Sequence, residues 1–254
     1  MTREDTQTPI SSLPYRLEKL GNTLFLAVSD EHRFGSDAFL LADFAGQSLR
    51  HKDYAVDLGT GCGIIAFLLY KNQRPSKMWG IDIQPQAIDQ FRFSVDYSIQ
   101  QGEDISDILQ AECCDLKNIK SCLPAGKFDL VTCNPPYKTG GTGILSAAPA
   151  HQIARHELLC SIDDVCAAAA WLLKSGGRLC LCQRPERLCD TLGAMRAHHI
   201  EPKRLRFVAK NENTNPWLFL VEGKKDAKSY MDVLPTLIFD QQTAARLTHY
   251  GDYE

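Results

Sequence analysis

The segment YAVDLGTGCGIIAFLLYKN, residues 54–72, constrains this chain more than any other. A short apolar run stops at three alternating glycines, and a helical pattern of apolar residues starts directly behind them. Glycines at such a turn let backbone N–H groups approach a ligand closely, and the helix N-terminus that follows favours negative charge. The same strand-to-helix step then recurs along the chain. MWGIDIQ reads as a second strand, and PQAIDQFRFSVDYSIQQG as a helix with Pro85 in its first turn and Gly102 at its end. Further strands are expected near ILQAECCDL and at FDLVTCNPPY. A helix over 162–174 opens with Ser161 and Asp164 in a capping-box pattern, and Ser175-Gly176-Gly177 stops it before the strand RLCLCQ. Repeated strand–helix alternation predicts an α/β fold, doubly wound, with a mostly parallel sheet covered on both faces.

The flanks are less regular. Residues 1–12 are polar, and LGNTLFLAV from Leu20 suggests a short strand or hairpin. Ser36 or Asp37 is the expected N-cap of a helix carrying Phe39, Leu40, Leu41 and Phe44. Residues 1–50 are therefore expected as an N-terminal extension with a lid helix. The last third carries a helix at AMRAHH and strands at RLRFVAK and WLFLVEG, expected to be antiparallel. No internal repeat, low-complexity tract or interdomain linker interrupts the 254 residues, and one doubly wound sheet can use them all.

Composition excludes several classes. No apolar run approaches the roughly 18 residues of a membrane span, and the first 20 residues hold no apolar signal core. A soluble cytoplasmic protein without a membrane partner is expected. Ten cysteines raise the question of zinc, but Cys113 adjoins Cys114, Cys180 lies one residue from Cys182, and no C-x-x-C occurs, so no metal is expected. Cys62, Cys133, Cys160, Cys166, Cys180 and Cys182 sit in apolar segments and read as reduced core residues. His156-Glu157 fails the H-E-x-x-H zinc pattern because position 160 is Cys. A formal charge of −3 excludes a uniformly basic nucleic-acid coat but not a local patch.

The glycine turn is not a nicotinamide-dinucleotide fingerprint, since the position three after Gly61 is Ile64. Asp82 closes the second strand 25 positions after Asp57, where a carboxylate can hold two ribose hydroxyls. Asn134-Pro135-Pro136-Tyr137 follows the strand FDLVTC directly. The two prolines remove N–H donors and leave carbonyls to accept, Asn134 adds an amide carbonyl, and Tyr137 adds a flat face. That set suits a planar nitrogen nucleophile whose N–H bonds are accepted while its ring is stacked. A Pro-Pro turn that merely stops a strand explains the prolines, but not the Asn and Tyr.

DLGTGCGII, GIDIQPQAI, the Asp115 strand end and CNPPYK, in this order, resemble the class I S-adenosylmethionine-dependent methyltransferases of the N-P-P-Y group. HRFGSDAFLLADFA before the glycine turn, ARHELL and GGRL after it, and the late LPTLIFD are similar to the bacterial tRNA1(Val) adenine-37 N6-methyltransferase family, over about residues 15–240. The resemblance implies a Rossmann-like sheet of seven strands, with residues 51–254 as the methyltransferase domain. It implies that Asp57, Gly59, Gly61 and Gly63 lie under the methionine part of S-adenosylmethionine. It further implies that Asp82 binds the ribose, Ile83 packs on adenine and Asp115 accepts from the adenine amino group. For Ile83, plain core packing is the competing reading. Asn134, Pro135 and Tyr137 are the implied catalytic set, Asn134 also bordering the cofactor. Where such chains often carry Gly before the Asp115 equivalent, this one has Cys114.

Methyl transfer from a sulfonium is expected to rest on positioning and on stabilising positive charge at the attacking nitrogen, supplied by Asn134 and the Pro135 carbonyl. The segment after the N-P-P-Y turn, rich in Gly and Ala, reads as a loop that orders over substrate, with Lys138, Arg155 and His156 facing phosphate or base. Between Arg178 and Lys210 eight Lys or Arg stand against three acids, whereas Asp96–Leu116 holds six acids and no base. This polarity predicts a basic face toward RNA, most simply tRNA, through Lys203, Arg204 and Arg206. A base flipped from an anticodon loop suits the N-P-P-Y geometry. A protein glutamine N5-methyltransferase shares the turn, but such enzymes carry a sizeable N-terminal helical domain, and only about 50 residues precede Asp57. A non-catalytic scaffold is the third reading, and intact Asp57, Asp82 and Asn134 argue against it. A monomer is favoured.

Overall fold

The structure, a computed structural model, describes residues 14–135 and 160–248. In chain order the elements begin with β1 (Arg16–Lys19), β2 (Phe25–Val28), α1 (Ser36–Gly46), β3 (Tyr54–Leu58), α2 (Ile64–Gln73), β4 (Lys77–Asp82) and α3 (Pro85–Gln100). There follow β5 (Leu109–Cys113), the short α4 (Ile119–Cys122), β6 (Phe128–Cys133), α5 (Ile162–Leu172) and β7 (Leu173–Gln183). The chain closes with α6 (Leu188–Ala197), β8 (Ile200–Ala209), β9 (Leu218–Lys225), β10 (Asp232–Ile238) and α7 (Gln241–Thr248).

Eight strands form one sheet in the order β10-β8-β9-β7-β6-β3-β4-β5. Only β9 is antiparallel to its neighbours β7 and β8, and the other pairings are parallel. Alternation along the strands divides the core. Ala55, Met78, Leu130, Cys180 and Cys182 join α1, α2 and α3 on one face. Val56, Leu58, Ile81, Val131, Leu179 and Leu181 join α5 and α6 on the other. From β3 the chain winds outward through β4 and β5, then returns to the other side of β3 with β6 and β7. The reversal opens a crevice beyond the carboxyl ends of β3 and β6, where ligands bind in sheets of this kind.

Three features depart from the sequence reading. The sheet has eight strands rather than seven, because β10 pairs in parallel with β8 at the outer edge. Its register slips between Leu234 and Leu237, around Pro235, and an edge is where a strand tolerates a residue with no N–H. The strand β7 begins at Leu173 rather than Arg178. Phe128 and Leu130 of β6 face Leu173 and Arg178, so Ser175-Gly176-Gly177 forms a bulge inside the strand instead of a loop before it. The N-cap of α1 is Gly35, while Asp37 lies in the first turn and its Oδ1 accepts from the Ala38 N–H at 3.1 Å.

Nor is α1 set apart as a lid on an extension. Eight of its eleven residues are buried, among them Phe39, Leu40, Leu41 and Phe44, and it packs on α2, β7 and β9. A helix apolar on so many sides has to lie inside the core. The hairpin β1–β2 closes against α3 through side chains. Ser94 and Ser98 accept from the backbone N–H groups of Ala27 and Phe25 at 2.8 and 2.9 Å, and the Gln90 amide donates to the Ala27 carbonyl. Those bonds satisfy a strand edge that water cannot reach and explain three buried polar residues on an otherwise apolar helix face. The capping box expected at Ser161 and Asp164 forms in both directions.

The six cysteines read as reduced are free thiols, while Cys114 and Cys122 are joined as a disulfide that the sequence pattern did not suggest. Among the described residues no helix is long and apolar enough to cross a membrane.

Candidate active site

Both walls of the crevice are built at strand ends. From Leu58 the backbone enters the turn through Gly59, Gly61 and Gly63, all at positive φ. The Thr60 N–H donates to the Ile81 carbonyl and the Gly63 N–H to the Thr60 carbonyl, both at 2.9 Å, locking the turn to β4. At Gly61, φ is +54°, and its N–H points to Asp82 Oδ2 at 2.9 Å. Gly63 is needed twice over, since its φ is +92° and a Cβ there would sit 2.4 Å from the Phe91 ring.

Asp57, the penultimate residue of β3, lies just before this turn and is buried. Its Oδ1 accepts from the Thr132 hydroxyl at 2.7 Å, across the register pair that aligns β3 with β6. Its Oδ2 has no hydrogen-bond partner among the described residues. Burial pushes the Asp57 carboxyl up to about 7, although the Thr132 bond pulls the other way. A buried carboxylate oxygen in that state is a ready acceptor for a cationic or N–H-bearing ligand. Asp82, also buried, accepts at Oδ1 from the Gln84 N–H at 3.0 Å and at Oδ2 from Gly61. Its backbone carbonyl accepts from the Cys114 N–H at 2.9 Å, which joins the end of β4 to the loop carrying Asp115. Asp115 Oδ1 in turn accepts from the Lys117 N–H at 2.9 Å. Cys114 is absent from the positive-φ residues, so the backbone there does not require glycine.

These groups line one cavity of about 100 Å³. Gly59, Asp82 and Ile83 contribute from the β3 and β4 ends, Asp115 from beyond β5, and Asn134 and Pro135 from the β6 end. Ile83 is 39% exposed, which rules out the core-packing reading and leaves its side chain available to a flat ligand. Asn134 donates through Nδ2 to Asp37 Oδ2 at 3.2 Å, and its Oδ1 accepts from Cys182 Sγ at 3.1 Å. Burial pushes the Cys133 thiol well up and the Cys160 thiol to about 11, so both stay protonated and neither is a nucleophile at neutral pH.

Of the expected cofactor set, Gly59, Asp82, Ile83, Asp115 and Asn134 line the cavity, while Asp57, Gly61 and Gly63 lie in the adjoining strand end and turn without lining it. Tyr137, Lys138, Arg155 and His156 lie outside the described residues. The expected basic patch is not a free face. Arg204 forms an ion pair with buried Glu222 at 3.3 Å, bonds to Gln47 and Ser48, and has its guanidinium 4.5 Å from the Phe44 ring centroid. Lys203 donates to the Lys228 carbonyl at 2.8 Å, and the Arg206 Nε is buried without a partner among the described residues. Two strands separate β8 from β6, so the three basic residues stand roughly 14 Å or more from the crevice. Thr132, Asp37 and Cys182 were not anticipated as site residues. A lone Thr between apolar neighbours in FDLVTC was a signal for the first, and Asp37 was visible only as a helix cap.

Residues 50–232 match a methyltransferase-domain family model. The tRNA1(Val) (adenine(37)-N6)-methyltransferase of Porphyromonas gingivalis is 29% identical over 203 residues, covering 76% of this chain and 74% of its own. The enzyme of the same name from Trichodesmium erythraeum is 31% identical over 153 residues, 58% of each chain. Among solved structures, a predicted O-methyltransferase of Agrobacterium tumefaciens superposes with a TM-score of 0.59 at 18% identity, covering 81% of this chain and 88% of that one. Geranyl diphosphate C-methyltransferase from Streptomyces coelicolor, solved with S-adenosyl-L-homocysteine, gives 0.54 at 13% identity, with 75% and 78% covered. Fold, glycine turn and family match agree, and the chain belongs to the methyltransferase-domain family.

Proposed function

We propose that this protein transfers the methyl group of S-adenosylmethionine to N6 of an adenine in tRNA, at the adenine-37 position of tRNA1(Val) for which its relatives are named. One observation carries the reading: Asn134 and Pro135 stand at the end of β6 in the same cavity as Asp82, Ile83 and Asp115, so an amide acceptor borders a site suited to an adenosyl cation. The residues fit that cofactor on their own chemistry. Among the described residues a buried Asp57 oxygen lacks a partner, an exposed Ile83 offers an apolar face, and no Lys or Arg lines the cavity.

When bound, S-adenosylmethionine supplies a methyl group already activated on a sulfonium. The protein therefore has to position rather than to move protons first. Asp57 and the Gly59–Gly63 turn hold the methionine end, Asp82 the ribose, and Ile83 with Asp115 the adenine. Asn134 and the Pro135 carbonyl accept from the target amino group and stabilise the positive charge that grows on it. Tyr137 stacks on the target base, which has to leave its own stack to reach the cavity. Lys138, Arg155 and His156 are proposed to meet the RNA beside it. Such a substrate implies a cytoplasmic enzyme.

The test is incubation with methyl-labelled S-adenosylmethionine and separate pools of tRNA lacking the modification, DNA and protein. Label in tRNA, recovered as N6-methyladenine at position 37, supports the proposal. Label confined to protein, released as methylglutamine, replaces it with the protein glutamine reading.

A further inference from the structure

The Asn134 amide is gripped at both ends by residues far away in sequence. At its nitrogen stands the Asp37 carboxylate, from the first turn of α1, at 3.2 Å. At its oxygen stands the thiol of Cys182, from the buried end of β7, at 3.1 Å. Asp37 is itself fixed, because its other oxygen accepts from the Ala38 N–H at 3.1 Å and α1 is wedged into the core. Cys182 has no freedom to move either, being fully buried in the sheet.

A carboxamide has two orientations of nearly equal shape that exchange donor for acceptor. A carboxylate only accepts, so it can meet the NH₂ end of Asn134, while the flipped amide would set two acceptors against each other. A thiol is a weak donor, and it prefers the carbonyl end. Both neighbours therefore select the same orientation. Resting on the reading that Asn134 accepts from the target amino group, we propose that Asp37 is a positioning residue for methyl transfer: it fixes the Asn134 amide with the carbonyl oxygen as the acceptor in the crevice. The helix that carries Asp37 packs into the core for the same purpose, since a carboxylate on a mobile lid cannot hold an amide to a fraction of an ångström. Cys182 supports that orientation from the opposite side.

The experiment is a double-variant cycle under single-turnover conditions, with labelled S-adenosylmethionine and an unmodified tRNA transcript, and cofactor affinity measured separately by calorimetry. Asp37→Ala should slow transfer by about 10- to 100-fold while cofactor affinity stays within about threefold. In an Asn134→Ala background the same change should cost nothing further if the proposed route through that amide carries its effect. Asp37→Asn keeps size and the bond from Ala38 but accepts either orientation, and should fall several-fold short of the parent. If Asp37→Ala fails to bind cofactor, Asp37→Asn decides alone. A several-fold loss that vanishes in the Asn134→Ala background supports the proposal, and no loss or a multiplicative loss overturns it. Full activity of Asn134→Ala would instead sink the underlying assignment of Asn134, so the two failures are told apart.

Discussion

Asp57 makes the structure's energetics testable without any substrate. Its carboxyl is raised from 3.8 to about 7 by burial, because ionising it strands a charge in the core that the Thr132 and Thr60 hydroxyls offset only in part. Between those two values the native state holds a proton that the unfolded chain has released. Native protein therefore binds more protons over that window, and stability falls as pH rises. The contribution is complete below 3.8 and is lost as pH passes about 7. From about pH 5 to about pH 8 the change amounts to roughly 2–3 kcal/mol, at a little over about 1 kcal/mol per pH unit.

Asp57→Asn removes the titration while its amide oxygen can still accept from Thr132. The new amide N–H has no partner where Oδ2 now stands, but that cost is the same at every pH. Urea unfolding of cofactor-free protein at the two pH values isolates the effect, since other titrations cancel between parent and variant. The variant should gain about 2–3 kcal/mol on the parent between about pH 5 and pH 8, or roughly 5–10 °C in Tm for a chain of this size. A stability difference that stays constant across that range would refute the assignment of a buried, protonated Asp57.

Four further outcomes are expected. Asp82→Ala removes the acceptor for the Gly61 and Gln84 amides and the proposed ribose ligand, and should weaken S-adenosylmethionine binding by about 1.5–3 kcal/mol in calorimetry. Asn134→Ala should slow methyl transfer by roughly 10²-fold or more at nearly unchanged cofactor affinity. Under the same single-turnover assay Tyr137→Phe should be mild and Tyr137→Ala severe, because the ring stacks and the hydroxyl does no chemistry. Arg204→Ala should lower unfolding stability by about 2 kcal/mol through loss of its bonds to buried Glu222, while the salt dependence of tRNA binding stays the same; a flattened slope with unchanged stability would restore it as a phosphate contact.

Which parts of this were legible in the sequence follows from how far apart the determinants lie. The turn after β3, the Pro85 start of α3 and the Ser161–Asp164 box are written within a few adjacent residues, so local chemistry reveals them. The strand β10 was hidden by Pro235, which disqualifies a central strand and is harmless at an edge. Arg204 looked like one of a basic cluster, but its role is set by Glu222 on the next strand and Ser48 behind α1, and no local pattern encodes that pairing. Asp37 and Asn134 are likewise brought together across 97 positions, by the packing of α1 against the sheet. Charge counts over a window report composition, whereas the partner of each charge is a property of register.

Among the described residues that line the cavity the charged groups are of one sign. Asp82 and Asp115 line it, and Asp37 stands behind Asn134, with no Lys or Arg among the described lining residues. An acid-lined site of this kind binds a cationic ligand in preference to a neutral one. A sulfonium donor is cationic before transfer and its thioether product is not, so the attraction that recruits the donor weakens once the methyl group has left. On the proposed reading the positive charge would pass to the attacking nitrogen, on the side of the cavity lined by Asn134, with Asp37 behind it. Carboxylates at both ends of that path favour the cation at its start and at its finish, which is why a general base is not needed between them.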